Sequence, residues 1–432
     1  MSSTGGPLEG LERAAIIDPA AIRHNVRTIA AAVSPAKVMV AVKADGYGHG
    51  ALTAAHAALD GGADWLGTAH VSEALELREA GIEAPLLAWL HTPDTDFTTA
   101  VERHIALGIS GWEIEAVAEA AAALQTPAHV HLKIDTGLGR NGCTREKWPE
   151  LLRAAAAHQE SGLISVEGIF THLAVADEPD RRETDEQLSL FREAVAAAEE
   201  VGITPDLRHA ANTPAAMSRP DAHFDMVRVG VGVYGQSPFA DRTGEDLGLK
   251  PAMELRTTVA NVKRVPAGQG ISYGLTHRVD RPTALGLIPL GYGDGVPRIA
   301  VDAPVRIGDR VYRSVGRVAM DQFVVDLEEP DTEVQVGDDV VLFGGESGLS
   351  AADWGAAAQT INYEIITRVG GRVPRIVRDS ALDQQAPADR AQQEDQPEPE
   401  TLAHRESQPD SAVQPDGEVQ PDGEVQQREA AR

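Results

Sequence analysis

The chain has 432 residues, one cysteine and a net charge of −28 at pH 7, with 42% hydrophobic and 24% charged residues. This length predicts two or three domains, and the composition is that of a globular protein. The acidic charge argues against nucleic acid or an anionic membrane as the main partner, and one cysteine excludes an internal disulfide framework. Without a membrane-spanning apolar stretch or a secretory signal, the sequence predicts a cytoplasmic protein.

The first half of the chain alternates between strand and helix patterns. Residues 1–10 predict a flexible leader, and Asp18-Pro19 predicts the start of a helix over 20–33. The predicted strands are 38–42, 65–69, 86–90, 105–110, 129–134, 164–171, 206–209 and 226–234, and the helices between them are 51–60, 72–80, 94–103, 112–124, 144–159, 183–201 and 213–218. Eight alternating units over residues 11–249 favour a (β/α)8 TIM-like barrel, with a doubly wound open sheet as the alternative.

From about residue 250 the pattern changes to short strands separated by Gly, Pro and Asp. The predicted strands are 257–265, 284–290, 305–307, 318–327 and 340–343. One helix is predicted over 351–369, with Ser350 as its N-cap. Residues 250–378 therefore predict a mostly β domain. Residues 379–432 carry 14 acidic and 4 basic side chains and no aromatic residue, so we expect a disordered acidic tail.

The most informative stretch is KVMVAVKADGYGHG, residues 37–50. Its apolar run predicts a buried strand that ends at Lys43, where a half-desolvated amine has a lowered pKa and becomes nucleophilic. An edge lysine that reaches water is the simpler interpretation. Tyr47 and the surrounding glycines favour a ligand site, because they let a bulky group approach the backbone and offer it a phenol.

Other polar residues also follow predicted strands, and in a barrel these strand ends meet at one face. They are Lys133, Asp135 and Arg140 after the fifth strand, His172 after the sixth, His209, Asn212 and Thr213 at the seventh, and Arg228 and Gly230 in the eighth. Each alone is as easily explained by a structural role. Together, basic and hydrogen-bonding groups in an acidic protein indicate a site for an anionic, phosphorylated, aromatic ligand.

The motifs of both halves together resemble one family. They are AVKADGYGHG, LKIDTGLGRNG, THLAVADE, RHAANT, VRVGVGVYG, ISYG, GYGDG, GRVAMDQ and INYE, in this order. The set is similar to alanine racemase and covers roughly residues 11–378. The resemblance implies a pyridoxal phosphate enzyme that interconverts L- and D-alanine and supplies D-alanine for cell-wall peptidoglycan. It also implies a homodimer in which the β domain of one subunit completes the active site of the other, with no metal.

Carried over by position, the resemblance implies that pyridoxal phosphate is covalently attached to Lys43. The implied cofactor-binding residues are Lys43, Tyr47, His172, Asn212, Thr213, Arg228, Gly230 and Tyr363, with His209, Lys133 and Asp321 as supporting residues. Arg228 would face the pyridine nitrogen, and because a guanidinium keeps its protons, that nitrogen would stay largely unprotonated. Arg140 and the backbone N–H of Met320 would bind the substrate carboxylate.

Racemisation requires removal of a proton from one face of Cα and its return to the other face. The resemblance implies two opposed bases, Lys43 and Tyr273, with the tyrosine contributed by the partner subunit. A turn aromatic that closes a β-hairpin is the alternative interpretation of Tyr273. Val229 stands where many relatives carry proline and Ala319 where cysteine is common, so substrate breadth could differ without loss of a catalytic role.

Three other functions share part of this pattern. A broad-specificity or serine-type racemase would use the same scaffold, because one methylene or hydroxyl changes discrimination by only about 1–3 kcal/mol. A non-catalytic pyridoxal phosphate carrier would resemble the barrel alone, without the β domain. A decarboxylase of the same two-domain plan would require a catalytic cysteine, and the chain offers only Cys143.

Overall fold

The computed structural model of the protein describes residues 10–378. Residues 1–9 of the predicted leader and the predicted disordered tail at 379–432 lie outside the described residues. Within residues 10–378, no helix is long and apolar enough to cross a membrane. In the same range, no group of three or more His, Cys, Asp or Glu side chains is placed to hold a metal ion.

Strands and helices alternate through the first half of the described chain and strands dominate the second. The strands are β1 (Arg13–Ile17), β2 (Lys37–Ala41), β3 (Trp65–Thr68), β4 (Leu86–Ala88), β5 (Ile105–Ile109), β6 (Ala128–Lys133), β7 (Ile164–Phe170), β8 (Leu207–His209), β9 (Met226–Val229), β10 (Met253–Thr258), β11 (Asn261–Val265), β12 (Gly270–Ile271), β13 (His277–Arg278), β14 (Thr283–Ile288), β15 (Pro304–Ile307), β16 (Arg310–Val315), β17 (Phe323–Asp326), β18 (Asp339–Phe343) and β19 (Arg375–Val377). The helices are α1 (Pro19–Val33), α2 (Lys43–Gly48), α3 (Ala51–Asp60), α4 (Val71–Glu79), α5 (Phe97–Glu102), α6 (Glu113–Leu124), α7 (Trp148–Glu160), α8 (Glu183–Glu200), α9 (Thr213–Ser218), α10 (Ala351–Ala357) and α11 (Asn362–Thr367).

Strands β2 to β9 form a parallel barrel in chain order. Each strand pairs with the next as far as β8, and β9 pairs back with β2, which excludes the open doubly wound sheet. Between β8 and β9 the barrel is closed by single hydrogen bonds, such as the one from the Arg228 N–H to the carbonyl of Ala211 at 2.9 Å. The Arg208–Asp225 ion pair at 2.7 Å adds a side-chain contact across the same junction. The predicted (β/α)8 barrel is therefore confirmed.

The barrel strands are buried on both faces because two apolar layers cover them. The outward side chains, such as Val40, Leu66 and Leu132, pack under the helices as part of the main core. A smaller cluster fills the lumen, with Met39, Trp65, Leu87, Ala106, Leu207 and Met226. The lumen is thus a packed core, as in other barrels, and the strand ends are left to form the site.

The second domain is built on a nine-stranded sheet in the order β11-β14-β17-β16-β15-β18-β10-β1-β19. Strand β1 runs antiparallel to β10 and parallel to β19, so the first described strand belongs to this sheet. This differs from the prediction that residues 11–249 all belong to the barrel. The mostly β character predicted for residues 250–378 is confirmed.

Three details of the second domain differ from the predicted elements. The predicted strand over 257–265 is two strands, because β10 pairs with β18 whereas β11 pairs with β14, and the chain changes partner at Val259–Ala260. Strands β12, β13, β16 and β19 have no counterpart among the predicted strands. The predicted helix over 351–369 is broken into α10 and α11, with Gln359 in the left-handed region at φ 53°. Its predicted N-cap is present, since Ser350 Oγ accepts a hydrogen bond from the Asp353 N–H at 3.2 Å.

Candidate active site

The chain turns sharply after β2, and this turn places Lys43 and Tyr47 at the mouth of the barrel. Residues 44–47 all lie in the left-handed region, with φ between 53° and 60°. For each non-glycine residue this conformation costs about 1–2 kcal/mol. Two short hydrogen bonds hold the turn: the Ala44 N–H donates to Glu73 at 2.7 Å, and the Ala51 N–H donates to Asp45 at 2.7 Å.

A cavity of about 550 Å³ lies at the carboxyl ends of the barrel strands. Ten of the predicted site residues line it: Lys43, Tyr47, Lys133, Arg140, His172, Asn212, Thr213, Arg228, Gly230 and Tyr363. Four basic side chains line it, Lys43, Lys133, Arg140 and Arg228, against the single carboxylate of Glu364. A chain with a large negative charge thus concentrates positive charge in one pocket, which favours an anionic ligand.

Arg228 is the most firmly held side chain of the cavity. Its Nη1 donates to the His209 carbonyl at 2.8 Å and to His209 Nδ1 at 3.1 Å. Its Nη2 donates to the Thr171 carbonyl at 2.6 Å and to His172 Nδ1 at 3.2 Å. Burial lowers the pKa of Arg228 to about 9, which leaves the guanidinium charged at neutral pH. His209 therefore holds Arg228 through both its ring and its carbonyl oxygen.

The two lysines of the cavity are both shifted toward the neutral amine. Burial lowers the pKa of Lys43, the charge of Arg140 lowers it further, and Glu73 opposes the shift. Burial, followed by the charges of Arg228 and Arg140, lowers the pKa of Lys133 to about 8. A neutral amine is the nucleophilic form, so this environment makes Lys43 a candidate for covalent attachment of an aldehyde.

Hydroxyl groups and a close backbone approach also mark the cavity. The Thr213 hydroxyl accepts a hydrogen bond from the Gly230 N–H at 3.0 Å. Burial raises the pKa of Tyr47 to about 12, and it also raises the pKa of Tyr363, so both phenols stay protonated and can donate hydrogen bonds. Asn212 also has a structural role, because its side chain caps α9 by accepting from the Ala215 N–H at 3.3 Å.

Three predicted residues lie away from the barrel cavity within one chain. Tyr273 is 70% exposed and lines a separate cavity of about 580 Å³ on the β domain. Met320 is 53% exposed, and the Asp321 carboxylate accepts a hydrogen bond from Arg372 at 2.9 Å. The chain alone does not bring Tyr273 and Met320 to Lys43, which leaves their predicted roles dependent on a second subunit.

Sequence reasoning missed four residues that shape the site. The Trp89 ring centroid lies 6.0 Å from Lys43 Nζ, and the charge of Glu73 opposes the lowering of the pKa of the same amine. The Phe170 ring lies 5.4 Å from both Lys133 Nζ and the Arg228 guanidinium carbon. His131 contacts His209 inside the barrel. The strand pattern contains Trp89 and Phe170, but only the barrel geometry shows that they face the cavity.

The fold and the cavity define a two-domain barrel protein with a lysine-bearing, anion-binding pocket at the carboxyl ends of its strands. Residues 17–238 match the family described as alanine racemase, N-terminal domain, and residues 252–377 match alanine racemase, C-terminal domain. The chain belongs to the alanine racemase family, which confirms the resemblance seen in the motifs.

Individual relatives agree over nearly their whole length. Alanine racemase of Thermobifida fusca is 49% identical over 365 residues, which cover 83% of this chain and 96% of that one, and alanine racemase of Salinispora tropica is 50% identical with the same coverage. The crystal structure of alanine racemase from D-cycloserine-producing Streptomyces lavendulae has a TM-score of 0.84 at 46% identity, covering 87% of this chain and 99% of that one. Alanine racemase of Clostridium difficile has a TM-score of 0.79 at 33% identity, covering 86% and 97%.

Proposed function

We propose that the protein is an isomerase that racemises alanine, with pyridoxal phosphate held in the barrel cavity. The observation that carries this proposal is the pairing of Lys43, an amine with a lowered pKa, with the charged Arg228 in one cavity of about 550 Å³. A cavity of this size matches a small-molecule ligand. The family to which the chain belongs supports alanine as the substrate.

The lining residues suit pyridoxal phosphate at each of its polar ends. Lys43 would hold the cofactor covalently through its aldehyde group. The hydroxyls of Tyr47, Thr213 and Tyr363 and the backbone at Gly230 would hold the phosphate, and Arg228 would face the pyridine nitrogen. When bound, this cofactor supplies an electron sink that stabilises negative charge at the Cα of an amino acid.

Lys43 is the proposed base for one enantiomer. A lysine can accept the Cα proton only while its amine is neutral, and burial together with the charge of Arg140 favours that form. The Trp89 ring centroid lies 6.0 Å from the Lys43 amine, and Ala41 lines the same cavity. The protein thus supplies a base of suitable protonation on one side of the substrate.

Tyr273 of the partner subunit is the proposed base for the other enantiomer. Within its own chain Tyr273 is largely exposed, on a cavity that Ser272, Leu275 and Ala319 also line, so it is free to reach a second subunit. His172 would be its local partner. Burial and the charge of Arg228 lower the pKa of His172 well below 6.5, and because its Nδ1 accepts from Arg228, its proton lies on Nε2 and can stabilise a phenolate.

Arg140 and Met320 are proposed to orient the substrate carboxylate. Arg140 lines the barrel cavity on the loop after β6, and Met320, on the β domain, would come from the partner subunit. Burial and then the positive charges of Arg228 and Arg140 lower the pKa of Lys133, so both arginines repel its ammonium form. A carbamylated Lys133 would carry a negative charge and replace this repulsion with attraction, which would brace Arg140.

The cellular role proposed for the enzyme is supply of D-alanine for peptidoglycan, in the cytoplasm. A buried, unpaired Cys143 as the single cysteine of the chain suits a reducing compartment. The homodimer is supported by the exposure of Tyr273 and Met320, whose side chains lie away from the barrel cavity of their own chain.

Incubation of the purified protein with a panel of L-amino acids, followed by chiral chromatography, tests the proposal. We expect D-alanine to form well ahead of D-serine or other products. Lys43→Ala is the control that separates this activity from a contaminant. A protein that racemises serine faster than alanine, or none of the panel, would contradict the proposed substrate or the proposed activity, respectively.

A further inference from the structure

A line of polar groups runs inside the barrel from Arg228 away from the active-site cavity. His209 Nε2 lies 2.8 Å from His131 Nδ1, and both histidines are fully buried. His131 Nε2 in turn lies 3.9 Å from Glu167 Oε2 and is buried without a hydrogen-bond partner. Barrel interiors are usually filled by apolar side chains, so this line requires an explanation.

The hydrogen bonds determine which ring nitrogen of each histidine carries the proton. A guanidinium can only donate, so His209 Nδ1 must accept from Arg228 and carry its own proton on Nε2. That proton is donated to His131 Nδ1, which leaves the His131 proton on Nε2, directed at Glu167. Each histidine accepts one bond, so both are neutral. Burial lowers the pKa of His131 to about 4, in agreement with this assignment.

A β-bulge turns Glu167 into the barrel. Val130 of β6 pairs with Val166 of β7, whereas His131 pairs with Gly168, so Glu167 is the extra residue on β7. The bulge breaks the alternation of the strand and places Glu167 and Gly168 on the inner side. The glycine is required there, because a Cβ at position 168 would lie 2.3 Å from His131 Nδ1.

The carboxylate ends the line at the opposite mouth of the barrel. Glu167 lines a cavity with residues at the amino ends of the strands, such as Lys37 and Trp65. Its other oxygen accepts from His129 Nδ1 at 2.7 Å, and this bond is the largest cause that lowers the pKa of Glu167. Glu167 therefore remains an anion, and its charge attracts the His131 N–H across 3.9 Å, a distance longer than a hydrogen bond.

We propose that Glu167 is a positioning residue for the racemase reaction. Through His131 and His209 it stabilises the tautomers that present an acceptor to Arg228, and so it helps to hold the direction in which the guanidinium would face the cofactor. The expected effect on turnover rests on the proposed function. The proton positions on His131 and His209 are independent of it.

The kinetic test compares Glu167→Gln with Asp206→Asn. Asp206 is an exposed residue that lines the same lower cavity, so its substitution removes the same charge without touching the histidines. We expect Glu167→Gln to lower kcat for L-alanine roughly five- to tenfold and to weaken pyridoxal phosphate binding several-fold, with KM and the thermal midpoint near wild type. Asp206→Asn should match wild type in kcat, KM, cofactor affinity and thermal midpoint. Equal behaviour of the two variants would overturn the proposal.

Neutron diffraction from deuterated wild-type crystals provides a second test that does not depend on folding of a variant. Deuterium is expected on Nε2 of His209 and of His131, and on neither Nδ1 atom. Deuterium on His131 Nδ1 would overturn the proposed line whatever the kinetics show. If the wild type proves not to racemise alanine, the proposed function fails while this measurement still decides the proton positions.

Discussion

The Tyr47 hydroxyl lies so close to Gly230 that no side chain fits between them. A Cβ at position 230 would lie 2.3 Å from the hydroxyl oxygen and 2.8 Å from the ring carbon that bears it. Tyr47 cannot easily retreat, because its ring stacks on Tyr234 with centroids 4.9 Å apart. The absence of a side chain at 230 therefore maintains the part of the cavity that we assign to the phosphate.

Gly230→Ala should weaken pyridoxal phosphate binding by at least about tenfold, since the new methyl group would displace the Tyr47 hydroxyl or occupy its space. The dissociation constant can be measured from the visible absorption on titration with the cofactor. Gly371→Ala is the matched control, because a Cβ there meets nothing within 4 Å. Unchanged affinity of the 230 variant would show that the phosphate binds elsewhere.

Lys43→Ala should abolish the visible absorption of the holoenzyme and lower racemisation by at least about 10³-fold, because it removes both the attachment point and one base. Lys37→Ala is the control, since Lys37 begins the same strand but is exposed at its other end. Absorption spectra and alanine turnover of the two variants decide this prediction. A yellow, active Lys43→Ala protein would contradict the assignment of the lysine.

The sequence predicted the parts of the fold that repeat. Eight apolar strands with intervening helices predict a barrel because each unit carries the same signal. The break at Val259–Ala260 could not be predicted, because it depends on which strands lie beside β10 and β11. The division of the last helix at Gln359 was equally hidden, since residues 358–361 contain neither glycine nor proline.

In the site, too, convergence of strand ends could be predicted from the sequence, whereas the local backbone geometry could not. Lys43, His172 and Arg228 could be predicted to meet, because strand ends converge in any parallel barrel. The place of Glu167 could not, since a one-residue bulge decides which way it faces. The role of Tyr273 came from the family resemblance alone and stays a prediction, because the described chain places this phenol outside the barrel cavity.

Buried neutral histidines should make the protein sensitive to acid. Burial lowers the pKa of His49 and of His131 to about 4, whereas histidines of the unfolded chain have a pKa near 6.5. Between these values the unfolded chain binds more protons, so the free energy of unfolding should be highest above pH 6.5 and fall toward pH 4. The expected slope is about 1.4 kcal/mol per pH unit for each such histidine. Urea unfolding at pH 7.5, 6 and 5 measures it.

His49→Gln should make this pH dependence shallower by about one proton, whatever its effect on stability at pH 7.5. His56→Gln is the control, because His56 is exposed on the neighbouring helix α3. A wild-type protein whose urea midpoint does not change from pH 7.5 to 5 would contradict the neutral state assigned to the buried histidines.

Hybrid dimers should show whether Lys43 and Tyr273 act from different subunits. Lys43→Ala and Tyr273→Phe are each expected to be nearly inactive as homodimers. In a dimer with one chain of each kind, both defects would fall on one active site and the other site would be intact. After unfolding and refolding of an equal mixture, about half of the dimers should be hybrids, and alanine turnover should recover to about a quarter of the wild-type value.

The control mixture combines Lys43→Ala with Arg140→Ala, two changes in the same barrel cavity. Every site of that hybrid dimer would carry one defect, so no recovery is expected. Differently tagged chains and two-step affinity purification would confirm that hybrids form in both mixtures. If hybrids of Lys43→Ala and Tyr273→Phe form and remain inactive, the second base does not come from the partner subunit, because a site shared between subunits must leave one intact copy in each hybrid.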